Sequence, residues 1–92
     1  MNKGGWLYSV ELDPQISATE VEVARGIAGF AALNPTYASF SFDHLVHRLN
    51  REPGLVLNVL ERLENKGWLR RLDGSHAKEW VVRLEIPARV SA

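Results

Sequence analysis

Two short stretches of helical periodicity, separated by a turn, constrain the fold of this 92-residue chain more than any other feature. Apolar residues recur at intervals of three and four over residues 42–49 and again over about 53–66, which is the spacing of one face of a helix. The predicted inner faces comprise Phe42, Leu45, Val46 and Leu49 in the first helix and Val56, Val59, Leu60 and Leu63 in the second. Residues 50–54 are left as a tight turn between them.

The ends of both predicted helices carry the residue types that favour such ends. Ser41 is a good N-cap for the first helix, and Phe40 and Leu45 stand at the two positions of a hydrophobic staple. Pro53 suits the first turn of the second helix, where its missing N–H costs nothing, and Gly67 is a good C-cap residue. The two helices are therefore bounded by signals that agree with their apolar periodicity.

A two-stranded ribbon is predicted to follow. Residues 68–72 form the first strand, residues 73–78 the tip, and residues 79–86 the return strand, which Pro87 ends. Alternation in the return strand places Trp80, Val82, Leu84 and Ile86 on one side. We expect Trp68 and Trp80 to pack in the core rather than to form a base-stacking platform, because large aromatics at periodic apolar positions normally fill the interior.

Before this segment the sequence predicts one further helix, over about residues 18–33. Ser17 and Glu20 match a capping box, and residues 34–35, Asn-Pro, stop the helix. Its broad apolar surface suggests burial on two sides, either in the core or in a dimer, and comprises Val21, Val23, Ala24, Ile27, Ala28, Phe30 and Ala31. Residues 35–39 are predicted to be a connection.

The first residues of the chain have a different pattern. Residues 6–12 alternate between apolar and mixed positions, which favours a strand that pairs with the ribbon or with another chain. An extended arm that packs its aromatics on the core is the alternative, and the role of Trp6 stays undecided. We expect residues 1–5 and 88–92 to be mobile, and the whole chain to be a single domain.

Taken together, these elements predict an α+β fold, mainly α, of the winged helix-turn-helix type: three helices with a two- or three-stranded antiparallel β-wing. Residues 45–69, LVHRLNREPGLVLNVLERLENKGWL, resemble the winged-helix segment of MarR-type transcriptional regulators. The family's apolar, acidic and glycine positions are matched without a gap by Leu45, Leu49, Val56, Leu60, Leu63, Glu64 and Gly67. The chain departs from that family in lacking the long flanking helices of its dimer.

The resemblance implies that the start of the second helix faces the DNA major groove. In place of the family's polar residues, that surface would be built from Glu52, Pro53, Gly54, Leu55, Leu57 and Asn58. Only Asn58 is suited to a bidentate contact with adenine, and the two leucines could touch thymine methyl groups. The candidate DNA-binding residues are Ser41, Arg51, Leu55, Leu57, Asn58, Arg62, Arg70, Arg71, His76 and Lys78.

Charge favours nucleic acid only mildly. The chain is neutral overall, but residues 1–43 carry a net charge of −3 and residues 44–92 a net charge of +3. Many of the cations could equally be solvated surface charges paired with neighbouring carboxylates. Because a single copy with this charge should bind weakly, we expect a homodimer or a larger parent chain.

Other functional classes find little support. The chain has no cysteine, no nucleophile-elbow or phosphate-loop motif, and no apolar run near the roughly 20 residues of a membrane span. His44 and His47 could share a helix face, but no further ligand set completes a metal site. We therefore expect a cytoplasmic, non-enzymatic protein with no cofactor, no metal and no membrane partner.

Two hypotheses remain. The leading one is a DNA-binding protein, with double-stranded DNA as its partner, acting in transcription regulation or in replication or plasmid maintenance. The alternative is a protein–protein interaction module, because Leu55 and Leu57 on an exposed helix start form an apolar contact patch.

Overall fold

The computed structural model describes residues 3–31 and 37–91, of which the side chains of Lys3 and Ser91 are not described. Within these ranges five helices and three strands follow one another in the order α1 (Lys3–Leu12), α2 (Ala18–Phe30), β1 (Tyr37–Ser41), α3 (Phe42–Leu49), α4 (Pro53–Asn65), β2 (Leu69–Arg71), β3 (Glu79–Leu84) and α5 (Ala88–Ser91). The fold is of the α+β class and mainly helical, with a small three-stranded antiparallel sheet, as the sequence predicts at this level.

Helix α2 lies at the centre of the helical layer and packs against α1, α3, α4 and β1. Its N-terminus is held by the predicted capping box, in which the Ser17 hydroxyl accepts from the Glu20 N–H and the Glu20 carboxylate accepts from the Ser17 N–H. The helix ends at Phe30, three residues earlier than predicted, because Ala31 is extended and forms a β-bridge with Ala38. The predicted stop at residues 34–35 lies outside the described residues.

The sheet has the strand order β1-β3-β2, with both pairs antiparallel. Strand β1 corrects the sequence interpretation, which treated residues 35–39 as a connection. Its alternate residues Ala38 and Phe40 are buried, and Phe40 is the register partner of Trp80 on β3. The third strand of the sheet therefore comes from residues just before α3 and not from the N-terminus.

Helices α3 and α4 agree closely with their predicted bounds. Ser41 caps α3, and Asn50 ends it in the left-handed conformation with a φ of 54°. Pro53 opens α4, and a Schellman motif closes it: Trp68 N–H donates to the Leu63 carbonyl and Gly67 N–H to the Glu64 carbonyl. Gly67 has a φ of 88°, so a side chain here would be strained.

The prediction of a strand in the N-terminal segment is wrong. Residues 3–12 form helix α1 instead. The alternation at residues 6–12 conceals a helical pair, Trp6 and Val10, whose side chains are both fully buried four residues apart. The Trp6 indole N–H donates to the carbonyls of Trp68 and Glu85, each at 3.1 Å. These carbonyls stand at the base of the β2–β3 hairpin, so Trp6 joins α1 to the sheet.

The two ends of the described chain are also joined; the mobility expected for residues 1–5 and 88–92 stays a prediction. Residues 3–5 form the first turn of α1, and residues 88–91 form α5. Arg89 on α5 makes two hydrogen bonds to the carboxylate of Asp13, at 3.2 and 2.7 Å, and the Asp13 side chain is almost fully buried. A buried carboxylate needs such a partner, and its arginine holds the last turn in place.

One core cluster lies between the helices and the inner face of the sheet. Its three largest members are Trp6, Trp68 and Trp80, all buried, which confirms the core interpretation of Trp68 and Trp80 and decides the role of Trp6. At the edge of this core a second buried carboxylate, Glu20, receives the Lys66 ammonium at 2.9 Å. Burial alone would raise the pKa of Glu20, but the hydrogen bonds from Ser17 and Lys66 bring it below its ordinary value.

Replacing Trp6 by phenylalanine tests the indole bridge. The substitution keeps an aromatic ring but leaves the carbonyl of Glu85 without its indole donor, so we expect the free energy of unfolding to fall by about 1–3 kcal/mol. The measurement is equilibrium unfolding in urea. Tyr8→Phe on the exposed face of the same helix is the matched control, with an expected change within about 0.5 kcal/mol. Equal effects of the two substitutions would contradict the bridging role.

The Asp13–Arg89 pair makes a prediction about acid stability. Arg89 holds the pKa of Asp13 below its ordinary value of 3.8, so the folded state binds its proton less readily than the unfolded state. The pair therefore stabilises the fold above that ordinary value, and the stabilisation is lost as pH falls through the lowered native pKa. We expect Asp13→Asn to be less stable than the wild type at neutral pH and to lose less stability on acidification, measured by urea unfolding across the acid range.

The control for this experiment is Glu11→Gln, which breaks the exposed ion pair between Glu11, two residues before Asp13, and Arg25 on α2. Exposed pairs contribute little, so its stability curve should follow that of the wild type. A curve for Asp13→Asn that ran parallel to the wild type at every pH would show that the pair does not couple folding to protonation.

Candidate nucleic-acid interface

The tip of the β2–β3 hairpin lies against the N-terminus of α3. The Phe42 N–H, in the first turn of α3, donates to the Lys78 carbonyl at 2.8 Å, and Ser41 is the register partner of Glu79. The tip is closed by the His76 N–H, which donates to the Glu79 carbonyl at 2.7 Å. As a result Ser41, His76 and Lys78, three of the predicted site residues, belong to one corner of the molecule.

This corner is polar and partly cationic. Both Lys78 and His76 are exposed, and within the described residues neither side chain makes an ion pair with a carboxylate. The Ser41 hydroxyl accepts from the His44 N–H, so it already caps α3. Because a helix N-terminus carries a partial positive charge, the start of α3 adds to the charge of Lys78, while the exposed acidic residues Asp43, in the first turn of α3, and Glu79, beside Lys78, offset part of it.

Fewer of the predicted contact residues on α4 are exposed than the sequence suggested. Leu57 and Asn58 are exposed, with Leu57 at 41%, whereas Leu55 is half-buried against the core. Residues 55 and 57 lie 200° apart around a helix, so they cannot share one flat surface. The predicted pair of leucines is therefore split, and only Leu57 stands out into solvent.

A shallow groove runs beside the Leu55 side of α4. It lies between the start of α4 and the start of α2 and is lined by Ser17, Thr19, Glu52, Gly54, Leu55, Asn58, Val59 and Arg62. The sequence offered no sign that Ser17 and Thr19 would face α4, because that contact depends on how two distant helices pack. Arg62 is exposed here and makes no ion pair within the described residues.

Two of the predicted arginines are paired with carboxylates away from the hairpin tip. Arg51, in the turn between α3 and α4, makes a two-pronged contact with Glu22 of α2 at 2.7 and 2.8 Å. This contact lowers the pKa of the Glu22 carboxyl. Arg70 lies 3.4 Å from Glu85. Both guanidinium groups are already partly neutralised, so they contribute less to an anion-binding surface than the sequence suggested.

Arg71 has a structural contact that the sequence did not indicate. Its guanidinium lies over the ring of Trp80, 3.6 Å from the ring centroid, and its Nε is 3.4 Å from a Glu64 oxygen on α4. Trp80 in turn stacks on Phe40 of β1, with the ring centroids 6.4 Å apart. Arg71 therefore covers the aromatic core and links β2 to α4, which makes it a poor candidate for a free DNA contact.

The described residues contain neither a cluster of metal-binding side chains nor a helix that could span a membrane. No group of three or more histidine, aspartate or glutamate side chains is placed to hold a metal ion in residues 3–31 and 37–91. Within the same ranges no helix has the length and hydropathy needed to cross a membrane. His44 lies near Phe30, with 6.3 Å between the ring centroids.

Comparisons with protein-family models, with curated proteins and with solved structures found no match to this chain. The case for a function therefore depends on the geometry described above.

The two hairpin arginines provide a test of these assignments. Arg71→Ala uncovers the Trp80 ring, and we expect it to lower the free energy of unfolding by about 0.5–2 kcal/mol. Arg70→Ala, its neighbour on the same strand, removes the same charge from a more exposed pair and should cost less than about 0.5 kcal/mol. The measurement is urea unfolding of both variants. Equal losses would contradict the structural role of Arg71.

Proposed function

We propose that this chain is a winged-helix protein that binds double-stranded DNA. The order of elements from α2 to β3, together with the strand order β1-β3-β2, supports this proposal. In such an arrangement α3 and α4 are the helix pair, α4 is the recognition helix and the β2–β3 hairpin is the wing. The observation that carries the proposal is the Phe42–Lys78 hydrogen bond, because it brings the wing tip and the start of the helix pair to one corner.

The proposed contacts divide by their role. Lys78 and His76 would contact the phosphate backbone from the wing. The start of α3, at Ser41, would bind a neighbouring phosphate. Asn58 on the outer face of α4 would read an adenine edge, with Leu57 against a thymine methyl group. Arg62 could reach a phosphate on the far flank of α4. Arg51, Arg70 and Arg71 are left out of this contact set because their partners hold them.

The small number of cations in this contact set has a measurable consequence. Two or three phosphate contacts give a slope of about −2 to −3 in a plot of log K against log salt concentration, which is shallow for a DNA-binding protein. A single copy should therefore bind duplex DNA weakly, and most of its affinity should disappear at moderate salt. The expectation of a homodimer stays part of the proposal, and a dimer with both copies on the duplex would double both the number of contacts and the slope.

Salt titration of duplex binding by fluorescence anisotropy is the experiment. We expect affinity to fall with salt at the slope given above, and Lys78→Ala to weaken binding and to reduce the slope by about 1. Arg83→Ala is the matched control, because Arg83 is exposed on β3, makes no ion pair within the described residues and carries the same charge. Absence of binding at the lowest salt, or equal losses in both variants, would refute the proposal.

The exposure of Leu57 favours a second candidate, the protein–protein interaction module. A large apolar side chain that is 41% exposed on a helix beside the acidic residues Glu61 and Glu64 fits a protein surface at least as well as a phosphate backbone. Leu57→Asp distinguishes the two roles. A loss of DNA affinity places Leu57 at the duplex, whereas unchanged DNA affinity together with loss of a partner complex assigns it to a protein contact.

A further inference from the structure

The outer face of the sheet, on the side away from the core, carries a row of one aromatic and two cationic residues. Antiparallel pairing places Tyr37 of β1 opposite Arg83 of β3, and Arg83 opposite Arg70 of β2. Their chain neighbours Ala38 and Val82 are buried, so the alternation of the strands turns these three side chains outward. We call Tyr37, Arg83 and Arg70 the outer sheet row.

All three side chains of the outer sheet row are open to solvent. Tyr37 is 41% exposed, and both arginines are exposed. Arg83 makes no ion pair within residues 3–31 and 37–91, whereas Arg70 lies 3.4 Å from a carboxylate oxygen of Glu85. The row therefore combines an open aromatic ring with one unpaired and one partly paired guanidinium.

The placement of the two arginines favours an anionic ligand. Like charges that stand directly opposite each other on neighbouring strands destabilise a sheet. Glu85 offsets part of the charge of Arg70. Glu79, at the other end of β3, is four residues from Arg83, or about 13 Å along the strand, so it does not relieve the repulsion. An anion bound between the two guanidinium groups would remove what is left.

The tyrosine indicates which kind of anion fits. Its strand is about 5 Å from that of Arg83, so the ring and the cation are adjacent, as a base and its phosphate are in a nucleotide. Aromatic rings that stack on bases, beside cations that contact the backbone, are the usual means of binding single strands. An acidic peptide would use the two arginines but would offer no base to the Tyr37 ring. In a duplex the bases are already stacked on one another.

We infer that the outer sheet row binds single-stranded nucleic acid, with one base stacked on Tyr37 and adjacent phosphates at Arg83 and Arg70. The next outward pair along the strands, Ser39 and Val81, is uncharged and at least partly exposed, so the nucleic acid can continue beside the row. This site lies outside the contact set proposed for duplex DNA, and the inference does not rest on that proposal.

Fluorescence anisotropy of the full chain with a labelled single strand tests this inference. The probes are oligothymidylate and oligouridylate of equal length, titrated separately at low salt, so that DNA and RNA are distinguished. Two phosphate contacts on a single strand predict a slope of about −1 to −1.5 in a plot of log K against log salt concentration. Binding of either probe supports the inference and identifies the nucleic acid. No binding of either probe at protein concentrations up to about 1 mM would overturn it.

Substitutions of Tyr37 test the stacked base. Tyr37→Ala should weaken binding of the single strand about tenfold, whereas Tyr37→Phe, which keeps the ring, should bind like the wild type. Tyr8→Ala is the matched control, because Tyr8 is an even more exposed tyrosine, at 64%, but lies on α1. Equal effects of Tyr37→Ala and Tyr8→Ala would contradict stacking at this position.

Arg83→Thr separates binding from stability. Threonine suits a strand and removes the repulsion with Arg70, so we expect a urea midpoint at least as high as that of the wild type. The salt slope for the single strand should nevertheless fall by about 0.7. An unchanged slope would overturn the inference. So would binding of polyglutamate that needs Arg83 but is indifferent to Tyr37→Ala, because it would assign the row to an acidic peptide. Duplex binding is measured separately, by the Lys78 experiment.

Discussion

The indole of Trp6 is the contact on which the arrangement of the described chain depends most. A single N–H donates to the Trp68 carbonyl, just after α4, and to the Glu85 carbonyl, just after β3. It thereby fixes the base of the hairpin from both sides while the ring fills the core beside α2. At the same end of the molecule, Arg89 and Asp13 join the last helix to the first. The hairpin tip, at the other end of the strands, is then positioned by the Phe42–Lys78 hydrogen bond.

Ion pairing shapes the electrostatics of this small protein more than its composition does. The second half of the chain has a net charge of +3, yet four of its arginines and its Lys66 are held by carboxylates. These pairs connect elements that are distant in sequence, such as Arg51 with Glu22 and Lys66 with Glu20. Charges that serve the fold in this way are less available to a ligand, so the proposed DNA contacts fall on a few free cations. This accounts for the weak binding, with a shallow dependence on salt, that we propose.

Local signals predicted the helix ends well, and long-range contacts explain the failures. The capping box at Ser17, the N-cap at Ser41 and the closing turn at Gly67 are encoded by adjacent residues, so the sequence alone located them. Helix α1 was misread because an alternating stretch also contains an i, i+4 pair, and the burial of Trp6 depends on carbonyls 62 and 79 residues away. Strand β1 was missed because it is stable only beside β3. At the candidate site the sequence could not show that Leu57 is exposed while Leu55 is half-buried. Nor could it show that Arg51, Arg70 and Arg71 are paired with carboxylates while Lys78 makes no ion pair within the described residues.

We propose that the hairpin tip and the outer face of α4 form one surface for duplex DNA. Backbone amide chemical shifts recorded by NMR during titration with a short duplex at low salt test it most directly. We expect the shifts to cluster at residues 54–58 and 73–78 and at the start of α3, and α1 to be unaffected. Shifts confined to α1 and α5, or no shifts at saturating duplex, would contradict it.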